Sequence, residues 1–67
     1  MSITLNGKNV DLQGGVSTVE QLLSHYRLEN RIVVVEVNKE IVTKENYKTM
    51  SLSNGDVVEI IHFVGGG

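Results

Sequence analysis

Cysteine is absent from the 67 residues, and with it every disulfide staple, thiolate nucleophile and thiolate metal ligand. The two histidines, His25 and His62, are far apart in the chain, and His25 has no histidine or carboxylate at ligand spacing on its own face. Aromatic content is only 4%, so cohesion must come from aliphatic packing and regular hydrogen bonding. The basic residues form no stripe. Arg27 and Arg31 are the nearest pair, while Lys8, Lys39, Lys44 and Lys48 stand among carboxylates, and the net charge is −2. Nucleic acid is excluded as an expected partner. No apolar run has the length of a membrane span, and the first residues lack the apolar core of a signal peptide, so a cytoplasmic protein without membrane contact is expected. No nucleophile–base pair or paired acid is apparent, so the chain is not expected to be an enzyme.

What is present is 40% hydrophobic residues in a chain of single-domain length, enough to fold. Such a chain buries only about 60% of the surface its unfolded form exposes, so the core is thin. Residues 2–12 read as a hairpin: Ile3 and Leu5, then Val10 and Leu12, alternate with polar residues around Asn6-Gly7, a pair that tolerates positive φ. Gly14-Gly15 lacks the spacing of a phosphate cradle and reads as a strand-to-helix turn. A helix starts at a capping box, either Ser17 with Glu20 or Thr18 with Gln21. Val19, Leu22, Leu23 and Tyr26 form one apolar stripe, and the helix should end between Tyr26 and Leu28.

Arg31 to Val37 is the most β-prone run, with Val33, Val35 and Val37 facing the core and Glu36 marking the wet phase. A turn at Asn38-Lys39-Glu40 leads to a brief strand at Ile41-Val42. Residues 43–52 read as irregular, with one helical turn near Glu45 to Tyr47, pinned by Met50 and Leu52. After a turn at Asn54-Gly55-Asp56, a last strand runs from Val57 to Val64, with Val58 and Ile60 inward and Val57, Ile61 and Phe63 on the opposite face. One helix covers one face of a sheet. Ile32, Val34, Ile61, Phe63 and Val64 are therefore expected to form an apolar partner surface beside the end of the chain.

That end is Gly65-Gly66-Gly67. A glycine triplet resists packing because ordering it costs the most backbone entropy, and it reads either as a frayed end or linker scar or as a functional thread. Extended, it spans about 10 Å without a single Cβ and enters slots closed to any side chain. Residues 1–64 are expected to form the domain, with 65–67 a disordered tail whose Gly67 carboxylate is the reactive group.

The element order (strand, strand, helix, strand, short strand, strand) is that of an α+β fold of the β-grasp type, about five strands in a mixed sheet around one helix. First and last strands would lie side by side in its centre. The chain resembles ubiquitin-like proteins and, more narrowly, the ThiS family of sulfur carriers in thiamin biosynthesis. The resemblance runs its whole length: Leu5-Asn6-Gly7, Thr18-Val19 with Leu22-Leu23, Val33 to Val42, and above all Gly55 to Gly67. The chain departs from the family at Thr43 and Tyr47, where proline and tryptophan are frequent; both lie away from the tail.

The resemblance implies a co-substrate with no cofactor of its own. An E1-like adenylating enzyme of the ThiF type would use ATP and Mg²⁺ to convert the Gly67 carboxylate to an acyl-adenylate. A persulfide-bearing sulfur donor would turn that into a thiocarboxylate, and a ThiG-type thiazole synthase would take the sulfur into the thiazole of thiamin. The absence of cysteine fits this scheme. Three alternatives stand beside it: a small-subunit-type carrier of molybdopterin synthesis, a ubiquitin-like modifier joined to lysines, and a β-grasp binding module with incidental glycines.

Overall fold

The computed structural model describes residues 1–63. The last strand, expected to run to Val64, ends at His62, with Phe63 beyond it; Val64 and the tail Gly65 to Gly67 lie outside the described residues. Five strands and one α-helix follow in the expected order: β1 (Ser2–Leu5), β2 (Lys8–Asp11), α1 (Val19–His25), β3 (Val33–Val37), β4 (Glu40–Val42) and β5 (Val57–His62), with a 3-10 turn at Lys44–Asn46. The strands form one mixed sheet in the order β2-β1-β5-β3-β4. β1 and β5 run parallel at its centre and the other neighbours are antiparallel, which is the β-grasp arrangement.

Local chemistry sets each element. Asn6 and Gly7 both adopt positive φ and close the first hairpin over the Leu5–Lys8 pair. Asn38 and Lys39 do the same between β3 and β4. Of the two possible capping boxes the chain uses the second: Gln21 N–H donates to Thr18 Oγ1 at 3.2 Å and Thr18 N–H donates to Gln21 Oε1 at 3.1 Å. Ser17 supports the same cap, its N–H and hydroxyl donating to Gln21 Oε1 at 2.8 and 3.0 Å, while its carbonyl accepts from Leu52 N–H at 2.7 Å.

The segment after β4 completes the helix N-terminus. Val19 N–H reaches Met50 C=O and Glu20 N–H reaches Tyr47 C=O, each at 3.0 Å, so the first-turn donors that no helix can satisfy internally are all paired. This loop is therefore a clamp on α1, and Leu52 is buried and Met50 packed on the core as expected.

α1 contributes Val19, Leu22 and Leu23 to the core, where they meet Ile3, Val35, Val37, Val58 and Ile60 from the sheet. The apolar stripe ends one residue earlier than its periodicity implies. Tyr26 is the C-cap and is 40% exposed. Val33, expected in the core, is only half-buried, because it sits opposite His62 at the end of the β3–β5 ladder.

Candidate functional site

The helix packs on one face of the sheet, and side-chain alternation leaves the other face uncovered. On β5 the inward residues Val58 and Ile60 are buried, while Val57 and Ile61, and Phe63 just past its end, are exposed as expected. Antiparallel register brings Val34 directly opposite Ile61. One step further Phe63 N–H donates to Ile32 C=O at 3.2 Å, so these two residues stand opposite each other beyond the ends of β3 and β5. The four residues Ile32, Val34, Ile61 and Phe63 are thus brought together by the fold. Ile32, Ile61 and Phe63 are 77, 47 and 54% exposed, and Val34 is half-buried between strands. The fifth expected member, Val64, and the glycines that follow lie outside the described residues.

Two further groups complete this face, and sequence reasoning assigned them no role. Glu36 and Glu59 are direct cross-strand partners in the β3–β5 ladder, both on the uncovered face, one register step-pair from Val34 and Ile61. In the sequence each glutamate marks the solvent-facing phase of its own strand, but their opposition follows only from the register. Like charges directly opposite are destabilising, so the body of the protein tolerates this pair at a cost. Ile41 on β4 lies opposite Glu36 and is also exposed. The face therefore reads as an apolar corner next to the last described residue, bordered by two carboxylates in the middle of the sheet.

The surface sets exposed apolar side chains beside two carboxylates. Among the described residues no group of three or more histidine, aspartate or glutamate side chains is arranged to bind a metal. No helix of the described residues is long and apolar enough to cross a membrane.

The model of the ThiS family matches residues 3–67. The chain belongs to the ThiS family.

It is 52% identical over 65 residues to the sulfur carrier protein ThiS of Bacillus subtilis, covering 97% of this chain and 98% of that one. The crystal structure of a ThiS thiamine biosynthesis protein from Geobacter metallireducens superimposes with a TM-score of 0.82 at 36% identity, each chain covered completely. A protein of Paramagnetospirillum magneticum named thiazole synthase is 39% identical over all 67 residues, which make up 20% of its length. A segment like this chain is thus carried there within the polypeptide of a much larger protein. Family membership selects the thiamin-type carrier over the molybdopterin-type carrier among the alternatives that the sequence left open.

Proposed function

We propose that this chain is a sulfur carrier for the thiazole moiety of thiamin, with the Gly67 carboxylate as the group that is remade. The observation that carries this reading is the 52% identity, over nearly the whole chain, to the Bacillus subtilis sulfur carrier, supported by the likeness to part of a thiazole synthase. A segment like this one inside a thiazole synthase polypeptide supports thiazole synthase as the acceptor of the sulfur.

A carboxylate repels nucleophiles and must be activated. An E1-like adenylating partner, holding ATP and Mg²⁺, joins the Gly67 carboxylate to AMP and releases pyrophosphate. The outer sulfur of a persulfide on a donor protein then attacks the carbonyl carbon, and AMP leaves with the bonding pair. The acyl disulfide so formed is opened when a thiol of the donor attacks the donor-side sulfur. The products are a thiocarboxylate on Gly67 and a disulfide on the donor. The chain contributes no catalytic side chain and acts as co-substrate, which agrees with its lack of cysteine.

Water must be kept from the acyl-adenylate, and a tunnel too narrow for a Cβ does so. Ordering the glycines in it costs about 1–2 kcal/mol per residue. Ile32, Val34, Ile61, Phe63 and Val64 offset that cost by docking on the partner. Replacing Gly66 with alanine tests the reading. The variant should keep the wild-type melting temperature and lose ATP–pyrophosphate exchange with the adenylating enzyme; wild-type exchange would remove the tunnel from the account.

A further inference from the structure

The parallel ladder between β1 and β5 stops before β5 does. Thr4 N–H donates to Asp56 C=O and Asn6 N–H to Val58 C=O, both at 2.9 Å, and the chain then turns away through Gly7 into β2. The next amide on that edge, Ile60 N–H, is taken at 2.8 Å by Asn6 Oδ1, a side chain standing where a strand would be. Along β5 the odd-numbered residues exchange hydrogen bonds with β3, as the contacts of Val57 with Asn38 and Phe63 with Ile32 require. The even-numbered residues bond toward β1. The His62 N–H and the carbonyls of Ile60 and His62 therefore point to where β1 would continue, and among the described residues the pairing on that side ends at Asn6. An open strand edge of this kind is a template for an added strand.

The same corner is concave. A groove of about 530 Å³ on the helix side of the sheet has Leu5, Tyr26 and Leu28 among its walls, with Asn6, Lys8 and His62 supplying its polar groups. No carboxylate lines it, although the chain has eight acidic residues and a net charge of −2. Tyr26 is the residue whose exposure departs from the helix periodicity, and its place on the groove wall explains where that apolar ring is used.

We propose that this corner takes an extended segment of a partner protein, which adds to β5 as a short strand beside His62. The segment carries apolar and acidic side chains on one face, two positions apart. Its backbone pairs with the Ile60 and His62 edge, its apolar side chain lies against Tyr26 and Leu28, and its carboxylate meets Lys8. Side chains on its other face extend the uncovered sheet surface next to Ile61 and Phe63, so both faces of β5 at its C-terminal end are held by partners. This surface is distinct from the uncovered sheet face and depends on no step of the sulfur chemistry.

The test uses the isotope-labelled full chain and a short blocked peptide in which threonine alternates with valine and glutamate, together with its counterpart carrying lysine for glutamate. In the free chain the His62 amide should exchange with solvent rapidly. The acidic peptide should slow that exchange roughly tenfold or more and shift resonances of Lys8, Tyr26 and His62. The lysine peptide should bind more weakly, and Lys8→Glu should reverse the order. Four results would overturn the proposal: a His62 amide already protected in the free dilute chain, shifts that appear on concentrating the chain alone, equal binding of the two peptides, or no shift at His62 with the acidic peptide. Each leaves the Gly67 reading untouched, because neither peptide engages the terminal carboxylate chemistry.

Discussion

Arg27 holds the left-handed conformation, with φ of 60°, at the position that follows the C-cap of α1. Arg27 N–H donates to Ser24 C=O at 3.0 Å and Leu28 N–H to Leu23 C=O at 2.7 Å, the double closure of a Schellman motif. Glycine is the usual occupant there, since a Cβ in that region costs about 1–2 kcal/mol. Arg27→Gly should therefore raise stability by roughly 1 kcal/mol, read as a higher urea midpoint with an unchanged slope. A lower midpoint would mean that the arginine side chain makes a stabilising contact larger than the backbone strain. This position was not legible in the sequence, because nothing but glycine or asparagine announces a left-handed residue. Asn6 and Gly7 announced theirs, and the hairpin was readable from them alone.

Among the elements, β5 joins the core to the uncovered face of the sheet. Its period-two pattern sorts Val58 and Ile60 into the core and Ile61 and Phe63 to the outside, and Glu59 sets that parity in the sequence itself. Neighbours across the ladder are a matter of register, so the facing of Glu36 and Glu59 and the open edge at His62 had no signal in one dimension. Two substitutions separate the roles of this strand. Phe63 is 54% exposed, so Phe63→Ser should lower stability by less than about 1.5 kcal/mol while weakening binding to the adenylating partner roughly tenfold or more. A large fall in melting temperature with intact binding would mean that Phe63 serves the fold. Glu59→Lys places opposite charges across the ladder from Glu36 and should stabilise the chain by about 0.2–1 kcal/mol. The same change should weaken the partner complex, if a basic group of the partner meets the two carboxylates. Unchanged affinity would restrict the docking surface to its apolar corner.

For the molecule as a whole, one helix and one clamp loop cover one face of the sheet, and the other face stays uncovered. Among the described residues the buried core runs from Ile3 to Ile60, and Ile61, His62 and Phe63 are exposed. That division explains why the architecture was readable in the chain while the partner surfaces were only half so. Core positions follow alternation and helix periodicity, whereas a surface is assembled from residues whose meeting depends on topology. In the proposed function, sulfur transfer rests on the terminal carboxylate of Gly67. The most direct measurement is the intact mass of the protein taken from cells making thiamin, before and after alkylation with a thiol-directed reagent. The account predicts a species heavier than the sequence by the difference between one sulfur and one oxygen, which shifts on alkylation in a chain without cysteine. Protein found solely as the unmodified carboxylate under active thiazole synthesis, or carrying sulfur anywhere but its last residue, would contradict it.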